Sequence, residues 1–377
     1  MEIYVVQAFD TVDRIAQEYR VPVNQLIEIN QISYPYALAI GQALLIPTAD
    51  GFLDQPGVVT NGYAYPFIDT DILQATLPYL TDLSVFSYGF TETGELVYPE
   101  LSDLWMLELA RQAGVNAILT LTPMDERGMF SNQLIHAVVN SGTAIDALIQ
   151  NLLRVMEEKG YGGVDVDFEY ILAEDRDAFT TFVAELTRIM NENGYVTSVA
   201  LAPKTSANQT GLLYEGKDYG GLGAAANSVL LMTYEWGYTY GPPMAVAPLN
   251  KVRQVVEYAV TEIPVNKINL GIPNYGYDWT LPYESGVSRA TTIGNIQAVQ
   301  IAFRHGAAIA FDEVAQTPYF RYTDNGIEHE VWFEDVRSLQ AKLTLLNEYD
   351  LKGIGVWQIM RLFRAMWLLY ANLFYVQ

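Results

Sequence analysis

The chain has 377 residues, half of them hydrophobic, with no cysteine and a formal net charge of −23 from 44 acidic and 21 basic residues. The missing cysteines exclude disulfides, thiolate zinc sites and a cysteine nucleophile. The charge argues against nucleic acid and against a membrane surface, both of which are anionic. Its three histidines, His136, His305 and His329, are not at metal-ligand spacing, so no metal and no cofactor is expected. A polymer ligand would have to be gripped by stacking and hydrogen bonds, which 26 Tyr, 15 Phe and 6 Trp can supply. No positively charged region followed by an apolar run opens the chain, so no signal peptide is expected.

Residues 1–49 read as a separate small unit. A β run at 3–7 leads to Asp10 and Thr11, which can cap a helix over 12–19. Pro22 suits the first turn of a second helix running to Ile29. Gly41 and Gln42 then turn into a closing strand at 43–46, ended by Pro47. The order is β-α-α-β. The segment resembles a LysM module through Y-V-V-Q (4–7), D-T (10–11), I-A-x-x-Y (15–19), L-I-E-I-N (26–30) and G-Q-A-L-L-I-P (41–47). The resemblance implies an anchor for glycans containing N-acetylglucosamine, peptidoglycan or chitin.

The stretch T-A-D-G-F-L-D-Q-P-G (48–57) has linker composition, with 50–57 as its body, and leaves 58–377 as the large domain. There, β runs recur at 61–65, 82–88, 117–121, 163–169, 197–202, 229–234, 268–274 and 353–359. Helical patterns lie between most of them, as at 144–159, 176–193 and 251–262. The alternation predicts an α/β fold, a closed (β/α)8 TIM barrel, with an open doubly wound sheet as the competing arrangement. The gap before the eighth strand exceeds one helix and contains Asn325-Gly326, a hairpin signal, so a small α+β insertion is expected at about 278–332. The apolar stretch 366–376 is too short to span a bilayer and reads as a packing helix.

The fourth β run ends Y-G-G-V-D-V-D-F-E (161–169). Side chains alternate along a strand, so Asp165, Asp167 and Glu169 share one face and Val164, Val166 and Phe168 the other. Stacked carboxylates repel, and the arrangement suits a site where one carboxyl is held protonated beside ionised neighbours. Barrel active sites lie at the C-terminal ends of the strands, which places Glu169 near the rim and Asp165 about 13 Å deeper. The other strand ends carry Met232, Tyr234 and Trp236, then Asn274 and Tyr275, then Trp357. Aromatic rings at one end of successive strands suit pyranose faces.

On these residues the chain resembles glycoside hydrolase family 18, whose fourth strand carries D-x-x-D-x-D-x-E. Asp165, Asp167 and Glu169 match its last three acids, while Gly162 stands at the first. Met232 and Tyr234 match its M-x-Y, and Trp357 its floor tryptophan. Y-E-W-G-Y (234–238) and G-P-P-M-A-V-A-P-L (241–249), with the N-terminal module, look like the spore-cortex-lytic and germination branch. The resemblance implies an N-acetylglucosaminidase of spore peptidoglycan, placed at the cortex, coat or cell wall. It also implies roles: Glu169 as general acid and base, Asp167 orienting the substrate's acetamido group, Asp165 adjusting Asp167, Tyr234 donating to the acetamido oxygen, and Trp357 flooring the sugar. From the residues alone Asp167 as a covalent nucleophile stays open, since alternate strand residues lie about 7 Å apart. Two other readings remain beside it: a chitinase and a non-catalytic glycan-binding barrel.

Overall fold

The computed structural model describes residues 1–48, 55–124 and 128–377. Most of the linker expected at 50–57 therefore lies outside the described residues. In the N-terminal module, strand Glu2–Val5 pairs antiparallel with Ala43–Ile46, and helices Val12–Tyr19 and Val23–Ile29 lie between them. Thr11 accepts from the Arg14 amide at the first helix start, and Pro22 precedes the second helix as its N-cap. Val12, Ile15, Leu26, Leu44 and Ile46 close a small core of their own.

The eight barrel strands are Gly57–Ala64, Asp82–Phe90, Asn116–Leu121, Gly163–Val166, Val196–Leu201, Ser228–Leu231, Ile268–Pro273 and Gly353–Trp357. Each pairs in parallel with the next. The eighth pairs with the first, Gly353 facing Val59, so the sheet is closed and not the open, doubly wound alternative. The outer helices include Gly142–Lys159, Arg176–Glu192 and Leu249–Glu262. Ser141 caps the first of these and Gly160, at φ 83°, ends it, as a left-handed C-terminal residue does.

Residues 276–332 form the insertion, a five-stranded antiparallel sheet with helix Asn295–Arg304. Its hairpin between Thr317–Asp324 and Ile327–Trp332 turns at Asn325 and Gly326, both at positive φ, where the sequence placed it. The C-terminal helix spans Arg364–Leu373, after which Tyr375–Val376 pairs alongside the first barrel strand. No described helix is long and apolar enough to cross a membrane.

The module is docked on the barrel by specific bonds. Ala39 joins the core that Ile293, Ala298, Ile309 and Phe333 make in and beside the insertion. The Ile309 amide donates to Ile40 O at 2.8 Å, and the Arg364 amide to Gln31 Oε1 at 2.7 Å. Gly41 sits at φ 82°, and a Cβ there would lie 1.9 Å from Ile309 O. Gly41→Ala should therefore cost about 2 kcal/mol from the left-handed backbone alone, with further loss as the seam opens. Limited proteolysis should cut this variant between module and barrel faster than the parent; equal rates would mean the seam is not held there.

Candidate active site

The acid row climbs out of the barrel as the alternation requires. Asp165 is 0% exposed and accepts from Tyr63 Oη of the first strand at 3.0 Å and from Ser198 Oγ of the fifth. Asp167 is 8% exposed, and its Oδ1 has no hydrogen-bond partner among the described residues. Glu169 is half-buried at the rim. On the other face, Val164, Val166 and Phe168 are fully buried, with Phe168 stacked on Phe90, Phe179 and Phe182. Regular pairing ends at Val166, earlier than the sequence suggested, although the Asp167 amide still reaches Leu121 O at 2.9 Å.

Burial dominates the electrostatics. It raises the Asp165 carboxyl, against the hydroxyls of Ser198 and Tyr63 and the charge of Lys217. It pushes Asp167 well above the usual carboxylate range, reinforced by the charges of Glu169 and Asp165 and opposed by Lys217. Glu169 is raised by burial, with Lys217 opposing and Glu235 adding. Two such carboxyls cannot readily ionise together, so Asp167 and Glu169 titrate as a pair that retains a proton above the ordinary range. That is the equipment of a proton donor beside an anion.

Around the row stand the aromatic residues expected from the strand ends. Trp357 packs on Phe86, Tyr63 and Tyr65 at centroid distances of 4.9, 5.8 and 6.2 Å, in a cluster that also includes Met232. Tyr234 is buried, near enough to Gly271 that a Cβ there would sit 2.8 Å from its ring. Tyr275 is buried with its hydroxyl on Glu235, and the half-buried Trp236 donates its backbone amide to Val246 O. Asn274 departs from the substrate-contacting place expected for it. Its Nδ2 is spent on Gln358 O and Arg361 O at 3.1 and 2.9 Å, and its Oδ1 accepts from Asn295, so it braces the wall from within.

Four participants escaped the sequence reading: Tyr63, Ser198, Lys217 and Glu235. Only Glu235 had a visible signal, as the acid inside Y-E-W-G-Y. Its backbone takes φ 67°, rare for a residue with a Cβ, and its carboxylate accepts from Tyr275 and Tyr277. Gly162 also has a structural counterpart: a Cβ there would lie 1.8 Å from Asn116 Oδ1, whose amide in turn donates to Asp82 at 3.1 Å.

Comparison with known proteins matches residues 128–361 to Glycosyl hydrolases family 18 and residues 4–47 to the LysM domain. The chain is 36% identical to a cortical fragment-lytic enzyme of Bacillus subtilis (strain 168), covering 100% of this chain and 99% of that protein. It superposes on the spore cortex-lytic enzyme SleL of Bacillus megaterium QM B1551 with a TM-score of 0.94 at 32% identity, covering 100% and 98% of the two chains. A chitinase from Chromobacterium violaceum, at 24% identity and TM-score 0.77 over 84% and 99% of the chains, shares the fold.

Glu235 lies close enough to add to the proton affinity of Glu169. Glu235→Gln removes that negative neighbour, so the Glu169 carboxyl should titrate at lower pH than in the parent. Infrared difference spectra of the carboxyl stretch, assigned with Glu169→Gln, measure the midpoint; an unmoved midpoint would disconnect the two residues.

Proposed function

Because the chain belongs to Glycosyl hydrolases family 18 and carries an N-terminal LysM domain, we propose that it hydrolyses spore-cortex peptidoglycan, cleaving β-1,4 bonds after N-acetylglucosamine with retention. The observation that carries the chemistry is the buried, unpartnered Oδ1 of Asp167 between Asp165 and Glu169. A buried acceptor left unmet is costly, and the N–H of a 2-acetamido group is the donor that such a substrate would bring. The relatives named for cortical fragments and the spore cortex support the choice of polymer and of location, cell wall or cortex.

The reaction runs through the substrate's own amide, as this family does in place of a second carboxyl nucleophile. Glu169 gives its proton to the glycosidic oxygen as the bond to C1 breaks, and the acetamido carbonyl oxygen closes on C1. Asp167 accepts the acetamido N–H, so the pair's negative charge settles on Asp167 while the proton sits on Glu169. That anion stabilises the positive oxazolinium ring. Asp165, itself held by Tyr63 and Ser198, fixes the conformation of its neighbour. Tyr234 donates to the acetamido oxygen, and Trp357 floors the distorted sugar. In the second half, Glu169 takes a proton from water as that water attacks C1 and reopens the ring.

Glu169→Gln should lose at least ~10³-fold in turnover while glycan binding persists. Asp167→Asn keeps the proton donor and should retain measurably more. Full activity in Glu169→Gln would remove it from the donor role. Mass spectrometry of products from purified cortex should show N-acetylglucosamine reducing ends, and release from chitin alone would favour a chitinase. Glycans lacking the N-acetyl group should not be cut; turnover of them would point to a covalent route through Asp167.

A further inference from the structure

Lys217 lies in the loop ahead of helix Tyr219–Ala225 and is 1% exposed, although a lysine is seldom buried without a reason. Its Nζ donates to Phe168 O at 2.6 Å and to Ala200 O at 2.8 Å. These carbonyls belong to the fourth-strand segment and the fifth strand, just past Val166 and Val199, the last residues that the two strands pair with each other. Where regular pairing stops, one ammonium bridges two carbonyls instead. Phe168 is the residue between Asp167 and Glu169, so the bond fixes the segment that aims both carboxyls.

The loop is built to keep that side chain in place. A Cβ at Gly216 would lie 2.4 Å from Ile171 O, so only glycine lets the loop come against the chain leaving Glu169. Lys204 Nζ donates to Lys217 O at 2.8 Å, Tyr219 Oη donates to Ala202 O, and the Phe179 ring lies 5.4 Å from Lys217 Nζ. The charges acting on Lys217 are those of Asp167, Glu169 and Asp165. On the same carboxyls act Tyr63 and Ser198 from the first and fifth strands and Glu235 beyond the sixth. The loop also carries the buried Lys204, and its Asp218 pairs with Arg176 of the neighbouring helix at 3.3 Å. Burial brings the Lys217 ammonium down to about 8, despite the three carboxyls that raise it.

We propose that Lys217 is a positioning residue of the hydrolytic reaction, holding the 167–169 segment through Phe168 O and supplying the positive charge that lets the Asp167–Glu169 pair carry one negative charge beside its one proton. It touches no substrate atom and acts through the two carboxyls. The proposal rests on the carboxyl roles given under Proposed function.

Lys217→Gln keeps a donor for a carbonyl but removes the charge. Without the cation both carboxyls bind protons more tightly, so both limbs of the kcat/KM profile against pH should move to higher pH by about one unit. The loss should fall on kcat more than on KM, and Lys217→Arg should return the limbs toward the parent's. Limbs that coincide in Lys217→Gln and parent would overturn the proposal. A second measurement needs neither that variant nor turnover, so it separates this proposal from the choice of substrate. In protein with 13Cε-labelled lysine, Lys217 should titrate well below the other lysines, and its midpoint should fall further in the double variant Asp167→Asn, Glu169→Gln. A midpoint that stays in place would overturn the charge coupling.

Discussion

Removing carboxylates from water beside one another is the constraint to which the rest of this barrel answers. Each buried carboxylate costs several kcal/mol unless hydrogen bonds or an opposite charge offset it. Asp165 receives two hydroxyls, from Tyr63 and Ser198 on different strands. Asp167 and Glu169 receive the field of Lys217. What is left over is one unmet oxygen on Asp167 and one extra proton on the pair. Neither is offset by the residues around them, so the strain that remains is concentrated at the rim of the barrel.

Closure of the sheet makes the arrangement possible. Tyr63 and Asp165 are 102 positions apart in sequence, yet they face each other across the barrel interior. The apolar face of the acid strand is anchored as firmly as the acid face is charged, since Phe168 is locked among Phe90, Phe179 and Phe182. A one-residue slip would exchange the two faces, placing three acids among aromatic rings. At the strand base, the space where the family's first acid would project is taken by the Asn116 amide, which reaches Asp82. The polar base is thus supplied by the second and third strands, and the fourth begins with glycines.

What the sequence disclosed was whatever depends on near neighbours. The period-two acids, the Thr11 cap and the Asn325-Gly326 turn each express a local rule, and each lies where that rule puts it, while Pro22 falls one residue earlier than its rule, at the N-cap and not in the first turn. The aromatic strand ends were visible for the same reason, because one end of a parallel strand is the same end in every strand. Lys217 was not, since a lysine in a loop normally reaches solvent and only the folded chain brings it to the carbonyl of Phe168. Asn274 misled by the same logic. Its place at a strand end predicts a ligand contact, whereas the loop after Trp357 folds back and takes its amide.

The insertion has a part in this that its sequence does not announce. Its first strand, Gly276–Thr280, carries Tyr277, which with Tyr275 holds Glu235 at the barrel mouth. Its helix and Ile309 receive Ala39 and Ile40 of the N-terminal module. The same small sheet therefore fixes an acid that raises the proton affinity of Glu169 and seats the module that the family comparison relates to glycan binding. A close-packed core transmits displacement and does not absorb it. Through that core the module and the Glu235 bracket share one support, the insertion sheet with its helix.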